Sequence, residues 1–130
     1  MAHGRAARAV VVAVYCAGLA VGTVTHVSDV VLHGPLPHAA FAPWWVDLYW
    51  TSLAVLDPLA LVLLVRGRRA GVDLLCAVMA TDLAANAYAV LVLKGEAAGD
   101  FPGLQRLALF GLFVAVTAPW LRRRPERAPG

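Results

Sequence analysis

Charge is what this chain has least of. Lys, Arg, Asp and Glu make up 15% of its 130 residues, against 61% hydrophobic residues. A water-soluble domain carries about a quarter charged residues, so that class is excluded. Cysteine is nearly absent as well: Cys16 and Cys76 are the only two, and they form no CxxC pair. Counted from the arginine-bearing ends of their spans, both lie roughly 9 to 12 Å into the membrane, where small apolar packing is the expected role. A quinone-coupled disulfide enzyme would want a thiol pair near a membrane surface. There is no glycine-rich phosphate loop and no hydroxyl-nucleophile motif, which leaves kinase and serine-hydrolase readings without support. The chain also lacks low-complexity tracts and internal repeats.

Long apolar runs are what it does have. They extend over about Ala9 to Val31, Asp47 to Val65, Ala70 to Leu93 and Leu104 to Leu121, each close to the ~20 residues that cross a membrane core as helix. The sequence therefore predicts an all-α, four-transmembrane-helix bundle, a single integral membrane domain over 1–130. Arg5 and Arg8 ahead of the first run resemble the start of a signal peptide. The run is too long for one and holds Gly22, His26 and Asp29, so it is read as a retained helix. Basic residues set the orientation. Nine of the eleven flank one side (Arg5, Arg8, Arg66, Arg68, Arg69, Arg122, Arg123, Arg124, Arg127), and only Lys94 and Arg106 fall on the other. Both termini are expected in the cytoplasm, in a multi-pass protein of the cell membrane. The net charge of +3 is thus a topology signal with some attraction to anionic headgroups, and nucleic acid is not an expected partner.

Against this apolar background, ionisable groups within the spans stand out, because a carboxylate in lipid costs ~2.5 kcal/mol or more. In the first span Gly18, Gly22, His26, Asp29 and His33 follow at steps of four, four, three and four residues, which lays them on one helical stripe. GLAVG within it is a small-xxx-small motif that permits close helix approach. Thr23, Thr25 and Ser28 flank the stripe and are expected to bond their own backbone. Asp57 falls near the midplane of the second span, directly before Pro58, which frees a carbonyl about one turn earlier, near Ala54. Trp50, seven residues before Asp57, shares its face. In the third span Asp82 and Asn86 sit one above the other. Asp73 lies near the Arg66 to Arg69 turn and is expected to pair there. The fourth span offers Arg106 at its outer end, Phe110 and Phe113 as apolar wall, then Thr117 and Trp120.

The loop HGPLPHAAFAPWWV, with its prolines and paired tryptophans, is read as an ordered cap at the outer interface, where Trp44, Trp45, Tyr49 and Trp50 form an aromatic belt. The second outer loop, LKGEAAGDFPG, is read as a plain turn, and the tail from Arg122 as unstructured. Together the polar positions predict a cavity in the outer half of the bundle. Asp57 and Asp82 form its floor, His26 and Asn86 its walls, and aromatic rings its mouth. Two acids in one dry site are not expected both to be charged at neutral pH, and such a mixed state suits general acid and base work. His26 alone lies clearly within a span, so a haem held by two histidines is not expected. His26, Asp29, Asp57 and Asp82 have ligand chemistry but no metal-ligand spacing. No cofactor and no metal are assigned.

These residues resemble the EXPERA group, helical membrane proteins that include emopamil-binding protein, a sterol isomerase, and the sigma-2 receptor. By that resemblance His26 and Asp29 are similar to the family's His and acid of the first helix, and Asp57 to its acid in the second. LAVLDPLALVLLVRGRR resembles its proline-containing helix and basic turn, and Thr117 with Trp120 its polar and aromatic pair. The resemblance implies an enclosed cavity for sterol-like or amine ligands and a double bond moved by protonation and deprotonation. His26 and Asp29 are closer together than the family has them, Asp57 stands later relative to the proline, and the first loop is short.

Three functions follow as expectations. The first is an isomerase or cyclase acting on an isoprenoid- or sterol-like lipid, with Asp57, His26, Asp29 and Asp82 moving protons and Asn86, Trp50, Thr117, Trp120 and Arg106 binding substrate. The second is a non-catalytic lipid or amine binding or assembly protein. The third is a small proton-coupled carrier, for which a homodimer is a natural form.

Overall fold

The computed structural model describes residues 2–123, which form helices without a strand. The order is α1 (Ala2–His33), α2 (Trp44–Val65), α3 (Arg69–Tyr88) and α4 (Pro102–Arg122). A π-helical turn, Ala89–Leu93, extends α3. The four spans are long and apolar enough to cross a membrane, the architecture of a multi-pass membrane protein. The tail read as unstructured from Arg122 is corrected at its start, since Arg122 is the last residue of α4; 124–130 lie outside the described residues.

Helix α1 starts seven residues before the predicted run because Ala2 to Arg8 contains no proline and is rich in alanine. At ~1.5 Å per residue it is about 48 Å long, so it outreaches a ~30 Å core. Helix α2 starts directly after Pro43, and α4 carries Pro102 in its first turn, where a missing N–H is harmless.

Helix α1 packs on α2, α2 on α3 and α3 on α4, and a thinner contact joins α4 to α1. One buried cluster (Tyr15, Leu19, Leu64, Leu75, Met79, Val114) fills the end where the termini meet, and a second (Val46, Trp50, Leu53, Val78, Ala89) fills the other. Cys16 and Cys76 are unpaired and rest against the first cluster, as the packing role requires. Val10, Val21, Leu112 and Val116 face outward, as lipid-facing positions do. Lipid is as apolar as leucine, so the helices are held by close fit and polar bonds.

Arg8 supplies much of the α1–α4 contact. Its guanidinium donates to the carbonyls of Leu121 (3.0 Å), Trp120 (3.3 Å) and Arg123 (2.9 Å) and lies 4.9 Å from the Trp120 ring centre. A cation is thereby placed on the unsatisfied C-terminal carbonyls of α4. One turn pair further in, Tyr15 and Thr117 share a 2.5 Å hydroxyl bond, and Phe113 meets Tyr15 edge-on. Arg8→Gln is expected to remove about 1 kcal/mol, seen as a lower unfolding midpoint in detergent. Arg5→Gln, at an exposed position, should leave the midpoint unchanged.

One expected pairing is corrected. Asp73 bridges to Arg122 instead of to the Arg66 to Arg69 turn, because antiparallel packing sets the start of α3 beside the end of α4.

Candidate functional site

The α1–α4 bonds lie between Arg8 and Gly18, where a Cβ built on Gly18 would overlap the Phe110 ring. At the opposite end, a cavity of about 310 Å³ lies between α1, α2, α3 and the two outer loops. Four predicted residues line it: His26 and Asp29 from α1, Trp50 from α2 and Asn86 from α3. Thr25, also on its wall, bonds its own backbone at Val21, and Thr23 does the same at Leu19.

The two acids lie one layer below. Asp57 is 4% exposed and Asp82 is 8% exposed, close enough to feel each other's charge. Neither lines the cavity, so the expected open floor of carboxyls is corrected: Trp50 and Asn86 form the wall, and the acids lie behind it. Asn86 Nδ2 donates to Asp82 Oδ1 (2.8 Å) and to the Asp82 carbonyl (2.9 Å), the i, i+4 geometry that their spacing predicts. The Trp50 indole also lies beside Asp82. Asp57 accepts no hydrogen bond from the described residues and instead rests in the notch at Gly22, where a Cβ would meet its Oδ2. GLAVG therefore admits two side chains, Phe110 at Gly18 and Asp57 at Gly22, which is how it lets the helices approach.

The first outer loop forms the ordered cap that its prolines and tryptophans predict. Its anchor is Asp47 in the first turn of α2, fully buried, whose Oδ2 accepts the His38 backbone N–H at 2.9 Å while Oδ1 has no partner. The Thr51 hydroxyl donates to the Pro35 carbonyl at 2.6 Å. So held, the His38 ring stands edge-on to Trp50 with Nε2 3.6 Å from Asp29 Oδ2. Trp44 and Trp45 are exposed and Trp50 is buried, so the belt divides into two anchoring rings and one cavity wall.

The second outer loop is more than a plain turn, because Lys94 and Phe101 line the cavity mouth. Here the Lys94 N–H reaches back five residues to the Ala89 carbonyl at 2.9 Å. This wider winding at the end of α3 turns Lys94 inward, 4.6 Å from the centre of Phe41 and 5.1 Å from that of Phe101. Wide turns of this kind recur at functional sites. His38, Asp47, Lys94 and Phe101 were not among the residues expected at the site. An acid four residues after Pro43 was a legible helix-start signal for Asp47; for the others only the tertiary fold carries the information.

Three expected binding residues lie elsewhere. Arg106 is exposed and is not part of the cavity lining. Thr117 bonds Tyr15, and Trp120 stacks with Arg8. Helix α4 runs away from the cavity, and a residue fifteen positions after Pro102 lies about 22 Å further along it. Among the described residues no three His, Cys, Asp or Glu side chains converge as metal ligands. Comparison with known protein families, with curated proteins and with solved structures finds no match.

Proposed function

We propose that this protein is a multi-pass enzyme of the cell membrane, its termini in the cytoplasm, that isomerises or cyclises an isoprenoid- or sterol-like lipid by proton transfer. The reading rests on one observation: two adjacent buried carboxyls, Asp57 and Asp82, have no cation paired with them among the described residues and lie directly beneath a largely apolar cavity. A pair kept for stability would be neutralised by a cation, since uncompensated acids in the membrane are costly. The cavity volume falls at the lower end of the ~300–1,000 Å³ typical of ligand pockets. It suits one end of a lipid whose remainder stays among the helices or in the bilayer.

Roles follow from hydrogen bonding. Asp82 accepts the Asn86 amide and is the carboxylate of the pair; Asp57, which accepts no bond from the described residues, carries the proton and is the acid. Its proton forms a C–H bond at one alkene carbon and leaves a cation on the next. The Trp50 ring and the acids stabilise that cation. His26, on the cavity wall with Asp29 and His38, then takes a proton from a neighbouring carbon, the double bond re-forms one position along, and the proton returns through the site. Delivery requires the cavity wall to open toward Asp57, which is buried behind it.

The test is incubation of the purified protein in nanodiscs with candidate isoprenoid lipids in D₂O, followed by mass spectrometry. Deuterium fixed at carbon in a shifted isomer supports the reading. The covered acids favour a second reading, a lipid- or amine-binding protein, and for it the lipid would be recovered unchanged and unlabelled. A homodimeric proton-coupled carrier would need access from both leaflets, whereas Arg8, Tyr15 and Phe110 close the α1–α4 seam at the arginine-rich end.

A further inference from the structure

The arginine-rich end holds a second, unrelated pocket of about 210 Å³ between the first turns of α1, the α2–α3 turn and the end of α4. Arg8, Arg68 and Arg69 line it together with aliphatic side chains such as Val12, Leu64 and Leu121. We propose that this pocket binds the phosphate headgroup of an anionic membrane lipid, with the glycerol and upper acyl chain against the aliphatic wall. The proposal is independent of the acid–base reading of the outer cavity.

The turn fixes the backbone that carries its arginines. Gly67 adopts a left-handed φ of +67°, and the N–H groups of Gly67 and Arg68 bond the Leu64 and Leu63 carbonyls, each at 2.9 Å. The backbone is thereby set at the start of α3, and the exposed Arg68 and Arg69 line the same pocket as Arg8. Arg8 is held from the other side by three carbonyls of the α4 end. A guanidinium has five N–H donors, so two remain for a ligand.

No acid answers this charge within the described residues. Asp73, the acid of α3 nearest the turn, is already taken by Arg122. Guanidinium groups pair with phosphate oxygens in a fixed fork, and basic pockets between membrane helices are established headgroup sites in general. The aliphatic wall decides between the two phosphate sources. A free phosphate would waste hydrogen-bonding capacity against Val12, Leu64 and Leu121, whereas a lipid matches both surfaces.

The experiment compares two double variants that remove equal charge. All four positions are exposed, but only one pair lines the pocket: Arg68→Gln with Arg69→Gln empties it of two cations, and Arg5→Gln with Arg66→Gln removes two from outside it. Retention of phosphatidylglycerol is measured by native mass spectrometry from mixed micelles with phosphatidylcholine, and circular dichroism confirms helicity. Wild type and the Arg5/Arg66 pair should keep one phosphatidylglycerol, and the Arg68/Arg69 pair should lose it with an affinity at least 10-fold weaker. Equal loss in both pairs would mean a diffuse surface charge and would overturn the site. So would displacement of the lipid by millimolar inorganic phosphate, since that identifies a free-anion site.

Discussion

Asp57→Asn should lower deuterium incorporation by about 10²- to 10⁴-fold, the contribution usual for a positioned general acid, without lowering the unfolding midpoint. Asn has nearly the shape of Asp, so the notch at Gly22 remains filled and α1 stays seated on α2. One of two adjacent buried acids disappears, and with it a cost to the folded state, so the midpoint should hold or rise. This split between rate and stability separates the site from a structural bridge. Were Asp57 a hydrogen-bonded strut, Asn would leave turnover intact. Full labelling by the Asn variant would therefore end the proposed mechanism. Asp82→Asn should follow the same pattern more weakly in rate, because Asn86 and Trp50 still orient the side chain.

A larger loss of stability is expected from a residue with no chemistry. A Cβ at Gly71 would stand 2.7 Å from the Leu64 amide nitrogen and 3.0 Å from the Leu63 carbonyl carbon. Both are backbone atoms of the facing helix and cannot swing away, so Gly71→Ala must push α3 off α2. Overpacking of this kind costs about 1–3 kcal/mol, and the rigid partners point to the upper end. The result would be a clear fall in the unfolding midpoint. Gly4→Ala, with nothing within 4 Å, should be neutral or slightly stabilising, since alanine is the better helix former by roughly 0.5–1 kcal/mol. Equal midpoints for the two variants would show that the α2–α3 contact is looser than described. Gly18→Ala falls between them, because its obstacle is the tip of the Phe110 ring.

Much of the architecture was legible because membrane crossing is a one-dimensional property. Hydropathy and length alone place the four helices, and an even number of antiparallel spans brings the start of α1 beside the end of α4, where Arg8 meets the α4 carbonyls. Spacing within one helix was equally legible, as the Asp82–Asn86 bond and the stripe through Gly22 and His26 demonstrate. Distance along a helix was also available for α4, and counted from Pro102 it removes Thr117 and Trp120 from the cavity.

Local pattern and hydrophobicity thus determined by themselves that this is a four-span helical protein with acids held in its interior, since both follow from the cost of polar groups in hydrocarbon. Only the tertiary structure decided which groups meet. His38 reaches Asp29 through a loop pinned by Asp47, Lys94 turns into the mouth through one wide turn, and Asp57 seats in the notch at Gly22. Those encounters join residues far apart in the chain, and their geometry depends on how the helices rotate and pack, which no single helix records.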